Sequence, residues 1–383
     1  MFNADAPRQK TQLNAKGQRR KDAKGVVDPF LAFSLNGDLL YLTSILLNIS
    51  GKQGMPVDKA RIIAMGSYLP ERVLNNFDLE KIVDTSDEWI TSRTGIQERH
   101  IAAPGEYASC MGAKAATRAL QAANMSPDQV DLIIVATMTP DYLAPSTAAL
   151  IQASIGATKA VAFDTQAACA GFIYGLSIAK AFIESHQYKN VLLIATEKMS
   201  AIVDYQDRNT CVLFGDGAAA VLITNHGTGL VINNVCLGTD GCVADLLLAP
   251  GGAIRTPPTE ESVTKRSHFL KMSGSELFKH AVRRMEQAAT ECLSHASLQQ
   301  SDIAWLIPHQ ANARIIDALS KKFEIPSERV YRTLHKYGNT SASSVAIALH
   351  ELTETEKIAK DEHLLLVAFG AGLTWGATVL TQN

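Results

Sequence analysis

From residue 61 onward, hydrophobic positions follow two rhythms. Short runs at 130–137, 160–164, 191–196, 218–224, 303–307 and 364–369 are mostly dominated by Val, Ile and Leu, as expected of strands covered on both faces. Longer segments at 110–123, 171–185, 276–294 and 342–352 read as helices. Strands alternating with helices predict an α/β architecture.

Two stretches repeat at one offset. LQAANMSPDQVDLIIVAT (120–137) overlays LSHASLQQSDIAWLIPHQ (293–310) without gaps, and VLLIAT (191–196) overlays LLLVAF (364–369), both 173 residues apart. Identity is low, but a shared offset over two stretches argues for a duplicated unit rather than coincidental periodicity. The overlay puts Cys169 on Ala342, His309 on Ala136 and Asn339 on Gln166. Ligand sites in α/β sheets gather at strand carboxyl ends and helix N-termini. Cys169, His309 and Asn339 are therefore expected to converge between two halves, 55–230 and 231–383.

Residues 1–54 do not share this pattern. They carry a charge of +4, leaving −6 for the rest. Their apolar stretch at 30–49 is broken by Asn36, Gly37 and Asp38, which argues against a membrane span, and no A-x-A-like cleavage site follows. We expect an over-extended start, with Met55 as initiator, or a disordered extension.

Composition adds exclusions. At 383 residues, 46% hydrophobic and 19% charged, the chain is globular rather than disordered or coiled-coil. A formal charge of −2 gives no bulk attraction to nucleic acid. Of six cysteines none is spaced CxxC, so a zinc ribbon or redox pair is unsupported. Thinly spread, they fit reduced thiols in a cytoplasmic protein.

Cys169 stands out. In AACAGFIYG, small residues lead into an apolar helix, whose N-terminal dipole lowers a thiol pKa. The other five, Cys110, Cys211, Cys236, Cys242 and Cys292, are expected to be buried small hydrophobes. His309 (IPHQAN) follows a strand-like run, where a locally satisfied histidine is the bland alternative; Asn339 (YGNTSASS) opens a helix, where a cap is the alternative. Gly215-Asp216-Gly217 loosely resembles a dinucleotide loop but precedes a strand-like run rather than a helix, so the required context is absent. His100 is expected to be a solvated loop residue.

In order, AACAGF, PHQAN, GNTSA and FGAGLTWG, with TSDEWITSRTGIQERH (85–100) and DRNTCVLFGDGAAAVLI (207–223), resemble β-ketoacyl-acyl-carrier-protein synthase III, of the thiolase fold, from about residue 61 onward. The Asn in GNTSA distinguishes this initiating class from Cys-His-Cys thiolases and Cys-His-His elongating synthases. The resemblance implies two duplicated αβ halves in a layered αβαβα core, and condensation of acetyl-CoA, or a similar acyl-CoA primer, with malonyl carrier protein. It makes Cys169 the acylated nucleophile and gives His309 and Asn339 the malonyl thioester oxygen. The backbone N–H groups of Cys169 and Ala371 form the oxyanion hole; Ala371 stands in Gly-Ala-Gly where many members have three glycines.

The resemblance further implies that Trp89 and Arg208 sandwich the CoA adenine, that Arg93 meets a CoA phosphate, and that Gly274 and Ser275 wall the pantetheine tunnel. It implies a homodimer, with the loop 141–146 (DYLAPS) reaching the partner's acyl pocket. Ala144 lies where some acetyl-selective relatives carry a bulky aromatic, leaving room for longer primers. No metal or cofactor and no stable membrane insertion are expected. An acidic carrier protein needs a local basic patch, and Lys279, Arg283 and Arg284 on one helix, with Arg314, Lys321 and Lys322 on another, are candidates. Other readings are a polyketide or 3-hydroxy-3-methylglutaryl-CoA-type synthase, or a non-catalytic partner subunit, against which the intact Cys169, His309 and Asn339 count.

Overall fold

The computed structural model describes residues 58–383; the extension expected at 1–54, and Met55, lie outside them. Strand β1 (Arg61–Tyr68) alternates half-buried and buried residues. It leads into a hairpin of β2 (Arg72–Asn75) and β3 (Glu98–Ile101). β4 (Leu132–Ala136), β5 (Val161–Thr165), β6 (Asn190–Glu197) and β7 (Gly217–Thr224) follow. Then come β8 (Leu230–Thr239), the two-residue β9 (Leu247–Leu248) and β10 (Lys271–Met272), β11 (Ile303–Pro308), β12 (His363–Gly370) and β13 (Thr374–Gln382).

Nine of these strands form one sheet in the order β11-β12-β13-β8-β1-β7-β6-β4-β5. Outward from the centre, β8-β13-β12-β11 matches β1-β7-β6-β4. On each side the two outer strands pair parallel, β11 with β12 and β4 with β6. The edge strand β5 also pairs parallel with β4, and the remaining pairs of this sheet are antiparallel. The halves join through two residue pairs, Arg61↔Val231 and Ile62↔Leu230. β6 and β12 are offset by 173 residues at both ends, as the sequence overlay predicts. β5 has no counterpart and is left as an edge.

Burial follows from this pairing. Alternate residues of β4, β6 and β7 (Ile133, Leu192, Ala220) pack with helix Ala108–Ala122. Alternate residues of β11, β12 and β13 (Leu306, Leu365, Val379) pack with helix Gly274–Ala296. The opposite faces of both half-sheets share one cluster with helices Gly171–Glu184 and Ser343–Thr355. The resulting layers run α, β, α, β, α. No described helix is long and apolar enough to cross a membrane.

The chemistry of Cys169 depends on how closely the central helices meet. A Cβ on Gly171 would lie 3.4 Å from Ala342 Cβ, so the start of the Cys169 helix rests on its duplicate.

Two expectations are corrected. His100 is half-buried in β3, with Nδ1 2.5 Å from Pro70 O, and is not a solvated loop residue. Beside it, Arg99 is fully buried, donating to Leu74 O, Asn76 Oδ1 and Val212 O. The cysteines also differ from expectation: Cys211, Cys236 and Cys292 are buried, but Cys110 is half-buried and Cys242 exposed.

Candidate active site

Cys169 lies in a short 3-10 turn, Ala168–Ala170, that runs into helix Gly171–Glu184. Its side chain is buried, and Sγ donates to Ser341 Oγ at 3.4 Å. Burial pushes the thiol up to about 12, opposed by the Ser341 hydroxyl and reinforced by the nearby Glu197 carboxylate. Loss of water thus raises the resting thiol, opposite to the lowering expected of a helix N-terminus.

His309 directly follows β11, and its backbone N–H is held by Val367 O at 2.8 Å. Nδ1 shares a 2.6 Å hydrogen bond with Ser344 Oγ, which also receives the Gln310 N–H at 3.4 Å. Ser344 Oγ keeps its proton and one lone pair for the Nδ1 contact; when the hydroxyl donates to Nδ1, the imidazole proton sits on Nε2. Burial pulls this ring down to about 3, so it is neutral near pH 7. Gln310 is a structural neighbour: its amide donates to Pro308 O and Tyr331 O and accepts from the N–H groups of Thr333 and Leu334.

Asn339 is fixed by its backbone, with N–H to Leu213 O at 2.8 Å and O from Gly215 N–H at 3.1 Å. Its Oδ1 accepts from Ser341 N–H at 2.8 Å, which leaves Nδ2 as the donating end. The rejected Gly-Asp-Gly segment serves this scaffold. Asp216 is buried and accepts from Ala102 N–H, Ser200 N–H and Ser200 Oγ.

Cys169, His309 and Asn339 border one cavity of about 840 Å³. These three lining residues are buried, whereas Arg93, Lys279 and Arg314 on the same wall are exposed, which fixes the depth of the former and the opening at the latter. Gly370 and Ala371 border it beside Cys169. A Cβ on Gly370 would stand 2.6 Å from Cys169 N, so only glycine lets this strand end approach the turn.

Toward the opening lie Trp89, Gly274 and Ser275. The Arg208 and Arg93 guanidinium carbons sit 4.8 and 4.9 Å from the Trp89 ring centroid. A flat ring needs about 3.5–4.0 Å on each face, so Arg208 must swing outward to admit one. It is exposed and tethered to Asp84 O at 2.9 Å.

The basic candidates divide. Arg283 and Lys321 are exposed, Lys279 pairs with Glu276 at 2.9 Å, and Lys322 pairs with Glu286 at 3.0 Å, tying the two helices together. Arg284 is not on a docking face: it bonds Asp240 at 2.8 Å and lies over Trp375. In the loop 141–146, Tyr142 and Leu143 are 60% and 83% exposed, and Ala144 is exposed.

Sequence reasoning missed Glu197, Ser341 and Ser344. The serines lie inside the GNTSASS motif, and Glu197 ends an apolar strand run, VLLIATE; a carboxylate closing a buried strand is the signal that was available.

Comparison with known proteins agrees with this geometry. The 3-oxoacyl-[acyl-carrier-protein] synthase III family matches residues 163–241, and its C-terminal family matches 293–382. Beta-ketoacyl-[acyl-carrier-protein] synthase III of Chlamydia caviae is 59% identical over 327 residues, covering 85% of this chain and 98% of its own length. The Chlamydia pneumoniae protein of the same name is 58% identical, covering 85% and 97%. The crystal structure of 3-oxoacyl-[acyl-carrier-protein] synthase III from Aquifex aeolicus superposes with a TM-score of 0.78 at 49% identity, covering 84% of this chain and 99% of that one. With the layered fold and a cavity bordered by Cys169, His309 and Asn339, these likenesses place the chain in the β-ketoacyl-acyl-carrier-protein synthase III family of thiolase-fold condensing enzymes.

Proposed function

We propose that this enzyme carries out the initiating condensation of type II fatty acid synthesis. Acetyl-CoA, or a similar acyl-CoA, and malonyl-acyl carrier protein give 3-oxoacyl-acyl carrier protein, CoA and CO₂. The observation that carries this reading is the shared cavity: a thiol, a neutral imidazole and a free amide donor border one space.

Cys169 Sγ attacks the primer thioester and CoA leaves, giving an acyl-enzyme. Malonyl carrier protein then enters. Loss of CO₂ leaves an enolate whose oxygen takes hydrogen bonds from His309 Nε2–H and Asn339 Nδ2–H. The enolate carbon attacks the acyl carbonyl, held by the N–H groups of Cys169 and Ala371, and the C–S bond breaks. The electrons for the new C–C bond come from the broken bond to CO₂, so the balance calls for no redox group or metal. In this scheme the half 55–230 supplies the nucleophile and the half 231–383 the two enolate donors.

Trp89 and Arg208 take the adenine, Arg93 a phosphate, and Gly274 and Ser275 flank the pantetheine arm. Lys279, Arg283, Arg314, Lys321 and Lys322 face the acidic carrier protein. We place the enzyme in the cytoplasm as a homodimer. An unpaired edge strand β5 with Val161 exposed, and the apolar loop tip Tyr142-Leu143, support a second copy covering this side.

Intact-mass analysis after incubation with a panel of acyl-CoAs tests the first half-reaction. Product analysis with malonyl carrier protein tests the second. Acylation followed by 3-oxoacyl-carrier product is expected. Product formation from malonyl-CoA or acetoacetyl-CoA, but not from malonyl carrier protein, would overturn the assignment in favour of a polyketide or 3-hydroxy-3-methylglutaryl-CoA-type synthase.

A further inference from the structure

The scheme above leaves one proton without a destination. Cys169 must lose its thiol hydrogen before attack, and burial holds that hydrogen tightly. His309 is poorly arranged to take it: Nδ1 is engaged by Ser344, and the hydrogen bond of the thiol goes to Ser341 rather than to the imidazole.

A second route is laid out in directed hydrogen bonds. Cys169 Sγ donates to Ser341 Oγ at 3.4 Å, and Ser341 Oγ donates to Glu197 Oε1 at 3.1 Å. Both later members are fixed. Ser341 has a positive φ of 52° and gives its N–H to Asn339 Oδ1. Glu197 closes β6 with no exposed surface and receives Thr139 Oγ1 at 2.5 Å, Thr137 Oγ1 at 3.3 Å and Met138 N–H at 3.2 Å. All its hydrogen-bond partners are uncharged donors. The neighbouring Lys198 turns its Nζ away, to Ala103 O and Glu106 O. A fully buried carboxylate without a cationic partner is costly; four donors hold it, and one of them touches the reacting sulfur.

We propose that Ser341 and Glu197 form a proton relay that activates Cys169 for acyl transfer. The S–H bond breaks as its proton passes to Ser341 Oγ, whose own proton passes to Glu197 Oε1. The sulfur electron pair forms the bond to the thioester carbon. When the tetrahedral adduct collapses, the C–S bond to CoA breaks. The relay then runs backward and returns the proton to the departing CoA sulfur, restoring the carboxylate. Ser341 touches the reacting atom; Glu197 acts through it, as a positioning residue that stores the proton.

Burial lifts the Glu197 carboxyl to about 7, so it takes and releases a proton within the working range. The titratable groups bordering the relay are the Cys169 thiol and His309, and His309 stays neutral down to about pH 3. The acylation rate should therefore rise with pH through about 7, as Glu197 becomes available to accept.

The inference rests on Cys169 being the acylated residue, and the experiment separates the two. Single-turnover acylation by acetyl-CoA is followed by intact mass from pH 5.5 to 9.5 for the wild type, Ser341→Ala and Glu197→Gln. Ala168 adopts a φ of 45° at the position equivalent to Ser341, so alanine fits this backbone and Ser341→Ala is a safe variant even where Glu197→Gln folds poorly. Ser341→Ala should acylate about 10²-fold more slowly near neutrality, the lower end of the range for a lost general base. Its pH midpoint should move upward toward that of the isolated thiol. An equal slowing at every pH, with the midpoint unmoved, would show a structural role and overturn the relay, as would a wild-type rate in Ser341→Ala. A wild-type enzyme that gains no acyl group on Cys169 would overturn the underlying reading instead.

Discussion

Ala168 and Ser341, separated by 173 residues, hold the same left-handed backbone, with φ of 45° and 52°. Each stands just before the start of its central helix: Ala168 precedes Cys169 in the turn that leads into helix Gly171–Glu184, and Ser341 precedes Ala342, the N-cap of helix Ser343–Thr355. Left-handed conformations are uncommon outside glycine, so two non-glycine residues sharing one at the duplication offset mark a turn retained by both halves. In one half the turn presents a thiol; in the other it presents a hydroxyl to that thiol.

The nucleophile is the simplest prediction. Cys169→Ala should acquire no acetyl group from acetyl-CoA, while the wild type gains one. Peptide mapping should find the label on Cys169 and none on the exposed Cys242, the most accessible thiol for adventitious transfer.

The division of labour is the second. His309→Ala and Asn339→Ala should still acylate Cys169 but lose malonyl decarboxylation by about 10²–10³-fold, the usual effect of removing one oxyanion donor. Because burial holds His309 at about 3, the decarboxylation rate of pre-acylated enzyme should show no histidine limb near pH 6.5. Such a limb would mean that the ring is charged in the resting site.

Steric crowding gives the third. Gly370→Ala sets a Cβ 2.6 Å from Cys169 N and 3.1 Å from Cys169 Cβ. Overpacking of this kind costs about 1–3 kcal/mol, visible as a lower denaturation midpoint. Acylation should fall further than stability does, because the displaced atoms include the nucleophile's own backbone.

The carrier surface gives the fourth. Arg283 and Lys321 are exposed and do not border the cavity, so Arg283→Glu with Lys321→Glu should raise KM for malonyl carrier protein and spare self-acylation. Lys322 is a poorer probe, since reversal also breaks its pair with Glu286. Added salt should weaken carrier use in the wild type and do so less in the double variant.

Buried Glu197 also makes a thermodynamic prediction. Burial lifts its pKa in the folded protein to about 7, above the ordinary glutamate value of 4.5, so the folded state binds a proton that the unfolded chain releases. The stability this contributes is present below about pH 4.5 and is lost as pH rises through 7. Glu197→Gln removes that dependence. Relative to the variant, the wild type should lose up to about 3 kcal/mol between pH 4.5 and 8, from 1.36 kcal/mol per pKa unit. Denaturant melts of both proteins across that range check it; parallel pH curves would contradict it.

The alternation of apolar runs located six strands and four helices to within a few residues, because most of these strands are runs of Val, Ile, Leu and Ala and the longer segments between them carry interrupted apolar patterns. β1, β8 and β13 were not singled out. β1 carries Gly66 and Ser67, β8 carries Asn233 and Asn234, and β13 opens on Thr374-Trp375-Gly376, so each breaks the apolar run, and cross-strand pairing decides them instead. Among site residues, Cys169, His309 and Asn339 were legible through the duplication and the motifs. Glu197 was not, because its importance lies in a contact with Ser341 across 144 residues. The thiol's resting state was misjudged for a related reason: helix position is written in local sequence, whereas desolvation is set by the whole surrounding wall.

The duplicated fold has one further consequence. At the 173-residue offset, His309 faces Ala136, Ser344 faces Gly171, Glu197 faces Gly370 and Cys169 faces Ala342. Each of these four groups has an alanine or a glycine as its twin; Asn339 differs, with the polar Gln166 as its twin. Two equivalent centres would compete for the same central space, because the helix starts touch there. The fold is symmetric and the chemistry is not: the emptied positions of one half make room for the other's functional groups.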